Sequence, residues 1–363
     1  MGWHSWGRYK CEMDCAKNPD TCIGERLALL TAKDLADNGF IEAGYRYIQL
    51  SGCWNNGQRD PNTRRLGYNQ SQFPRGIKAL SDKLQSFGME LGLLFADPFD
   101  VTDTMTADAQ MAIEFDLGMV TIHTRSVERL NFLYHAFKKA PQKIAVRCAG
   151  FTAEFQKNPD ALGWNSVLGT CLGWRVIDGD AKSWNSTLDV LRNWITHNKL
   201  FRSKSGPNHW NEAHSLEVGG TGLTDAEKRT QMSMWCMMSS PLFFSAAINE
   251  LDDFSWNLLK NRELISINQD ISKPAKFIRR EKGVQIWSRK LWNEDEYAIA
   301  FVNENDHPQK ITVSISELLY EGSPEEFEIT DLFNETIKDP MEDSNDLTIE
   351  ISPHDTKLYK VEV

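Results

Sequence analysis

Long apolar runs are missing from this 363-residue sequence, and no stretch approaches the ~20 apolar residues that a membrane-spanning helix needs. Positive charge is in short supply, because 40 Lys and Arg face 51 Asp and Glu and leave a net charge of −11. An acidic surface repels phosphates, which argues against nucleic acid and against docking on an anionic membrane. Apolar residues still make up 41% of the chain, so a sizeable core can form and general disorder is not expected.

A signal-peptide pattern is also missing, because no basic segment followed by an apolar one stands at the start of the sequence. The chain opens on Met1-Gly2-Trp3, which leaves little room for the first strand of the fold inferred below. We therefore expect residues upstream of Met1, including a signal peptide and the beginning of that strand.

The sequence contains seven cysteines, which is an odd number. A zinc site on Cys11, Cys15 and Cys22 is an open alternative, but the spacings of four and seven are loose and no His completes the set. Disulfides fit better and indicate an oxidising compartment. Three N-glycosylation sequons agree with passage through the secretory pathway, to an extracellular or a lysosomal destination; they begin at Asn69, Asn185 and Asn334.

Residues 24 to about 265 alternate between helical and strand patterns. Leu27, Leu30 and Leu35 have near-helical spacing, and Thr224-Asp225-Ala226-Glu227 is a capping box that predicts the start of a helix. Strands that alternate with helices favour a parallel sheet, and the number of units favours its closure into a barrel. After about Pro274 the pattern changes to short strands of near-alternating polarity, which is typical of an antiparallel β-sandwich.

The predicted fold class is therefore α/β, a (β/α)8 TIM barrel followed by a C-terminal antiparallel β-sandwich. A barrel needs about 250 residues, which leaves roughly a hundred for the second domain. We place the barrel at residues 1–272 and the sandwich at residues 273–363.

In a (β/α)8 barrel the active residues sit at the carboxyl ends of the strands. Aromatic side chains are plentiful at those positions, which suits sugar rings that stack on flat apolar faces. For any single Trp, burial in the core is an equal alternative. The predicted strand ends, in chain order, are Trp3-His4-Ser5-Trp6, Ser51-Gly52-Cys53-Trp54, Asp97-Pro98, His123-Thr124-Arg125, Cys148-Ala149-Gly150, Asp178-Gly179-Asp180, Trp210-Asn211-Glu212 and Ser245.

A series of motifs extends over nearly the whole chain: Met1-Gly2-Trp3-His4-Ser5-Trp6, Cys53-Trp54, Phe73-Pro74-Arg75-Gly76-Ile77-Lys78-Ala79-Leu80, Trp174-Arg175, Ser239-Ser240-Pro241-Leu242 and Ile265-Ser266-Ile267-Asn268-Gln269-Asp270. In this order and at these separations the motifs resemble glycoside hydrolase family 27, which contains α-galactosidases and α-N-acetylgalactosaminidases. The resemblance implies the same barrel and β domain, retaining hydrolysis of a terminal α-galactoside, and a homodimer. It also implies a free, buried Cys236 and three disulfides, Cys11–Cys53, Cys15–Cys22 and Cys148–Cys171.

The catalytic carboxylates of that family do not appear at the matching positions. Retaining hydrolysis needs two carboxyl groups about 5–5.5 Å apart. The nucleophile position reads Arg125, and no Asp or Glu occurs from Leu117 through Val127, so a small error in alignment cannot restore it. The acid/base position reads Gly179, which Asp178 and Asp180 flank as weak substitutes.

Several sugar-binding positions of the family are altered as well. Ser51-Gly52 replaces an Asp pair, Ala149 replaces a Glu, and His214 replaces an Asp. We expect Arg125 either to bind a ligand or to close the pocket through a salt bridge to Asp97 or Asp178. The candidate pocket residues are Trp6, Ser51, Gly52, Phe95, Asp97, His123, Arg125, Ala149, Arg175, Glu212 and His214.

Three hypotheses follow from these substitutions. The first is a pseudoenzyme, a secreted glycosidase fold that binds a carbohydrate or a protein. The second is an active glycosidase that uses relocated carboxylates, chosen from Asp97, Asp178, Asp180 and Glu212. The third is a structural or storage protein with a filled cleft. No cofactor and no metal is expected in any of the three.

Overall fold

The computed structural model describes residues 1–363 apart from 97–101, 125, 128–129, 138–139, 142, 178, 180, 320–326, 334–336 and 339–345, and apart from the side chains of 102, 103, 131, 337 and 338. Several of the predicted functional residues therefore lie outside the described residues; they are Asp97, Arg125, Asp178, Asp180 and Asn334.

The described residues form sixteen strands and twelve α-helices. The strands are β1 Gly2–His4, β2 Tyr47–Leu50, β3 Glu90–Ala96, β4 Met119–His123, β5 Ala145–Ala149, β6 Gly173–Trp174, β7 Trp210–Asn211, β8 Phe243–Phe244, β9 Lys276–Glu281, β10 Val284–Lys290, β11 Glu296–Asn303, β12 Gln309–Ser314, β13 Glu328–Asp331, β14 Ile337–Lys338, β15 Asp346–Ile351 and β16 Thr356–Glu362. The helices are α1 Trp6–Tyr9, α2 Glu25–Asp37, α3 Ile77–Gln85, α4 Thr102–Glu114, α5 Leu130–Phe137, α6 Thr152–Lys157, α7 Trp164–Thr170, α8 Trp184–Thr196, α9 Asn198–Lys204, α10 Asp225–Met237, α11 Asp253–Leu259 and α12 Arg262–Gln269.

The chain divides into two compact units, and unit 1 comprises Met1–Gly179 and Phe243–Leu251. Its strands are parallel and lie in the order β6-β5-β4-β3-β2-β1-β8. Ala96 pairs with His123, and His123 pairs with Ala149. This register brings the carboxyl ends of β3, β4 and β5 to the same level of the sheet edge, where the sequence predicts the functional site.

Unit 2 comprises Asp180–Leu242 and Asp252–Val363, and it includes β7 and the helices α8 to α12. Its remaining strands form an antiparallel six-stranded sheet, β14-β13-β16-β11-β10-β9, and a two-stranded sheet of β12 and β15. Side chains of both sheets share one hydrophobic core, which includes Ile299 and Phe301 from β11 and Ile311 and Val313 from β12. This arrangement is a β-sandwich.

The start of α10 follows from its local sequence. The Thr224 hydroxyl accepts a hydrogen bond from the Glu227 amide at 3.4 Å, and the Glu227 carboxylate accepts one from the Thr224 amide at 2.8 Å. These reciprocal bonds satisfy two amide groups that the first turn of a helix leaves unpaired. The capping box predicted from the sequence is thus present, and α10 continues from it to Met237.

The eight strands β1 to β8, with the helices between them, are the elements of a (β/α)8 barrel, and the antiparallel sandwich follows in the chain. The predicted fold class is confirmed. Helix α12 ends at Gln269 and β9 begins at Lys276. The exact domain boundary between 272 and 273 stays a prediction.

Candidate functional site

Ser5 holds the carboxyl ends of β1 and β2 together. Its amide donates to the Gln49 carbonyl at 3.0 Å, and its buried hydroxyl accepts a hydrogen bond from the Ser51 amide at 3.0 Å. The chain then turns sharply at Gly52, which has a φ of +94° that side-chain-bearing residues rarely adopt. The backbone conformation at this corner therefore favours a glycine.

Trp6 presents an aromatic surface beside that corner. The Trp6 side chain is 47% exposed, which is unusual for such a large ring. A Cβ placed on Gly52 would lie 3.8 Å from the edge of the Trp6 ring, so the glycine and the indole are direct neighbours. Lys10 lies 5.8 Å from the ring centroid. The exposed part of the ring is available to a flat apolar ligand surface such as a sugar ring.

The carboxyl ends of β3 and β4 enclose a small pocket with space for about one water molecule. His123 is exposed, whereas Phe95 is buried and meets Trp54 edge-to-face at 5.3 Å between ring centroids. The residues that line this pocket are Phe95, Met105, Asp108, Ile122, His123, Thr124 and Leu133.

The pocket contains one carboxylate that the sequence reasoning missed. Asp108 extends from α4, and Arg59 binds it with two parallel hydrogen bonds of 2.8 Å each. The Asp108 side chain is only 7% exposed, so this guanidinium compensates a nearly buried negative charge. Asp108 lies inside a helix rather than at a strand end, which is why a search of strand ends did not find it.

The ends of β5 and β6 are fixed mainly by backbone contacts. The Thr124 amide donates to the Ala149 carbonyl at 3.0 Å, and the Arg175 amide donates to the Cys148 carbonyl at 2.9 Å. A Cβ on Gly150 would approach the Thr124 carbonyl oxygen to 2.5 Å, so a larger residue cannot fit there. Ala149 is buried, and Arg175 is half-buried at the carboxyl end of β6.

Carboxylates are absent from the described residues that directly follow the strands of unit 1. These residues are Ser5, Ser51, Thr124, Gly150, Arg175 and Ser245, while the position after β3 is outside the description. Gly179 is exposed, has a φ of +140°, and has no atom within 4 Å of the position that a Cβ would take. The described residues after these strands thus offer hydroxyl and basic groups, and the carboxylate of Asp108 in the pocket is paired with Arg59.

A buried polar network inside unit 1 was also missed by the sequence reasoning. Arg147, in the middle of β5, donates a hydrogen bond to the Gln49 side chain, which in turn donates to the Thr121 hydroxyl at 2.8 Å. The Arg147 guanidinium also lies 4.0 Å from the centroid of the Phe243 ring, a cation–π contact. These side chains come from β2, β4, β5 and β8, and neither their types nor their spacing indicates that they meet.

Glu212 and His214 follow β7 in unit 2, and both are buried. His214 has a φ of +111°, and its carbonyl accepts a hydrogen bond from the Trp235 indole at 2.7 Å. The Ala213 amide between them donates to the Ser240 hydroxyl at 2.9 Å. This segment is therefore held in an unusual backbone conformation by its neighbours within unit 2.

The structure contains the three disulfides that the resemblance implies, Cys11–Cys53, Cys15–Cys22 and Cys148–Cys171. The first ties the segment after α1 to the end of β2, and the third ties the end of β5 to the segment before β6. Within the described part of the chain, no group of three or more His, Cys, Asp or Glu side chains is arranged to hold a metal ion. No helix among the described residues is long and apolar enough to cross a membrane.

We expect the thiol of Cys236 to be inert in the folded protein. Cys236 forms no disulfide and is completely buried in α10, and this burial raises the pKa of its thiol well above the usual range. Since only the thiolate reacts with alkylating agents, iodoacetamide should leave the native protein unlabelled and label Cys236 once the chain is unfolded without reductant. Peptide mass spectrometry would measure this, and rapid native labelling of Cys236 would contradict it.

The comparisons with known proteins agree with this architecture. The sequence model of the family described as alpha galactosidase A matches residues 1–270, and that of the alpha galactosidase C-terminal beta sandwich domain matches residues 281–361. The alpha-N-acetylgalactosaminidase of Rattus norvegicus is 30% identical over an alignment of 376 positions, which covers 99% of this chain and 89% of the relative. Human alpha-galactosidase A is 29% identical over 342 residues, which span 88% of this chain and 77% of the relative.

A solved structure shows the same fold at lower sequence identity. The crystal structure of alpha-galactosidase I from Mortierella vinacea superposes with a TM-score of 0.87 at 21% identity, covering 99% of this chain and 96% of the other. The fold and the matched motifs define a glycosidase-type barrel with a β-sandwich domain. The chain belongs to the alpha-galactosidase A family, which is glycoside hydrolase family 27.

Proposed function

We propose that this protein is a non-catalytic member of its family that binds a carbohydrate at the carboxyl ends of the barrel strands. The observation that carries the proposal is the stretch from Leu117 through Val127, which covers the nucleophile position and contains no Asp or Glu. The described residues that directly follow the strands of unit 1 supply no carboxylate in its place.

The chemistry of retaining hydrolysis makes this substitution severe. One carboxylate must attack the anomeric carbon, and the transition state is positively charged and needs negative charge beside it. Arg125 at the nucleophile position offers the opposite charge. The carboxylate of Asp108, which lines one pocket with His123 and Thr124, already binds Arg59. Sugar binding has no such requirement, and an exposed Trp6 with Arg175 suits it.

We expect the purified protein to hydrolyse neither p-nitrophenyl α-galactoside nor p-nitrophenyl α-N-acetylgalactosaminide above a heat-inactivated control. The reason is the missing nucleophile, without which no glycosyl-enzyme intermediate forms. Release of p-nitrophenol over hours at several pH values would measure it, with an active relative as positive control. Turnover that disappears in Asp178→Asn or Asp180→Asn would overturn the proposal.

That last outcome would establish the second candidate function, an active α-galactosidase or α-N-acetylgalactosaminidase with relocated carboxylates. It is favoured by the names of the relatives, which are those of glycosidases. The two catalytic carboxylates of such an enzyme would come from Asp97, Asp178, Asp180 or Glu212. A set of single Asp→Asn and Glu→Gln variants would identify them.

Carbohydrate binding is tested separately with a glycan array. We expect the protein to bind glycans with terminal galactose-type residues, and we expect Trp6→Ala to lower the affinity roughly tenfold, which corresponds to about 1.4 kcal/mol. Trp292→Ala is the matched control, because Trp292 is 70% exposed but lies on the β10–β11 turn. Equal losses of glycan affinity in Trp6→Ala and Trp292→Ala would contradict the assigned site. An array without any binding would favour the structural or storage role.

We further propose that the protein passes through the secretory pathway. Three disulfides support this, since such bonds form and persist in oxidising compartments. An extracellular and a lysosomal destination are both consistent with this route, and cell fractionation would separate them. A homodimer stays an expectation from the family resemblance, which analytical ultracentrifugation would test. A protein partner stays an expectation of the pseudoenzyme hypothesis, which affinity capture would test.

A further inference from the structure

The sequons at Asn69 and Asn185 look alike in the sequence but differ in the structure. The difference is the burial of the residue that carries the hydroxyl, which is Ser71 in the first sequon and Thr187 in the second. N-glycosylation requires both the asparagine amide and the hydroxyl two residues later, so both groups must be reachable. Asn69 and Asn185 are both exposed, which by itself makes each an acceptable attachment point. The third sequon, at Asn334, lies outside the described residues.

At Asn69 the whole sequon is on the surface. Asn69, Gln70 and Ser71 are all exposed. The Asn69 side-chain oxygen accepts hydrogen bonds from the Ser71 amide at 3.0 Å and from the Ser71 hydroxyl at 2.9 Å. Both bonds are local to the turn, so an enzyme can exchange them for its own contacts without disturbing the packing of unit 1.

At Asn185 the hydroxyl is part of the core of unit 2. Thr187 has no exposed surface; its hydroxyl points to the Ala181 carbonyl at 3.4 Å and accepts from the Gln231 side chain at 3.4 Å. Asn185 and Thr187 also belong to the first turn of α8, whose apolar face is buried. Access to Thr187 therefore requires α8 to detach from the rest of unit 2.

We propose that Asn69 is an N-glycosylation site that remains open in the folded protein, whereas Asn185 is open only in a chain whose α8 has not yet packed. The reaction uses a lipid-linked oligosaccharide pyrophosphate. A bond forms between Asn69 Nδ2 and the anomeric carbon, and the bond from that carbon to the pyrophosphate oxygen breaks. The lipid pyrophosphate leaves with the electron pair, and the amide nitrogen loses one proton.

The test compares folded protein with peptides of the same sequence. Unglycosylated protein, folded and oxidised in a bacterial periplasm, is incubated with purified oligosaccharyltransferase and its lipid-linked donor, in parallel with synthetic peptides 64–76 and 181–192. Peptide mass spectrometry then gives the occupancy of each site. We expect transfer to both peptides, but in the folded chain we expect transfer to Asn69 and none to Asn185.

Variants of Ser71 test whether transfer to Asn69 depends on the Ser71 hydroxyl. Ser71→Ala should abolish transfer to Asn69 in the folded chain, and Ser71→Thr should preserve it, while circular dichroism confirms that both variants stay folded. Transfer to Asn185 in the folded chain, failure of Asn69 to accept, or failure of peptide 181–192 to accept would each overturn the proposal. The outcome does not depend on whether the barrel hydrolyses or binds a sugar.

Discussion

Replacing Arg289 with Met will lower the free energy of unfolding by about 3 kcal/mol. Arg289 lies on β10 and its side chain is fully buried. Its guanidinium donates hydrogen bonds to the backbone carbonyls of Cys236 at 2.9 Å, Ile267 at 2.7 Å and Asp270 at 2.9 Å. Methionine fills much of the same volume but donates none of these bonds. The carbonyls of Ile267 and Asp270 lose their donor, which costs about 1–3 kcal/mol each, whereas the Cys236 carbonyl keeps a hydrogen bond from the Ser239 amide at 3.1 Å.

Urea unfolding followed by tryptophan fluorescence would measure this effect. Arg280→Met is the matched control on the adjacent strand β9. The Arg280 side chain is 45% exposed and pairs with Glu304, which keeps a hydrogen bond from Gln285 at 2.8 Å, so we expect a change of only about 1 kcal/mol there. If Arg289→Met fails to fold, Arg289→Lys keeps the charge and loses the planar fork, and it should still be markedly less stable than the wild type. Wild-type stability in Arg289→Lys and Arg289→Met would show that these bonds contribute little.

The second large effect is expected at Arg59 in unit 1. Arg59→Ala leaves the carboxylate of Asp108 without its bidentate partner, and breaking a buried ion pair from one side costs about 3–5 kcal/mol. The Arg59 guanidinium also donates to the Arg64 carbonyl at 2.8 Å, so the loop after β2 loses an internal hydrogen bond as well. Thermal and urea unfolding would report the loss.

The chain offers a close control for this prediction. Arg65, on the same loop, pairs with Glu114 on the same helix, but both side chains are substantially exposed. Because solvent screens exposed pairs, Arg65→Ala should cost less than about 1 kcal/mol. Replacing Arg59 and Asp108 together with leucine should recover a large part of the Arg59→Ala loss, since no buried charge then remains. Equal losses for Arg59→Ala and Arg65→Ala would contradict the buried-charge argument.

Features that depend on neighbouring residues were predictable from the sequence. The capping box of α10 needs only Thr224 and Glu227, three residues apart, and it is present as expected. The disulfides followed from the family resemblance rather than from the spacing of the cysteines, which had left a zinc site open. The alternation of elements gave the fold class, because helices and strands impose different periods on their apolar residues.

Contacts between distant residues were not predictable in this way. Arg59 meets Asp108, 49 residues away, and Arg147 meets Gln49, 98 residues away. Each of these charged or polar residues reads in the sequence as an ordinary surface position, since Lys, Arg, Asp and Gln are mostly exposed. Only the register of parallel strands and the packing of helices show which of them are buried together.

The sequence by itself determined the family and the fold class, because motifs and periodicity are properties of consecutive residues. It also predicts the loss of the nucleophile carboxylate, from the acid-free segment Leu117 to Val127. The tertiary structure decided which charges are buried and paired, that Ser71 is exposed and Thr187 is buried in their sequons, and that Trp6 rather than Phe95 presents an exposed ring. These depend on which segments exclude water from one another, and burial is set by contacts between parts of the chain that are far apart in sequence.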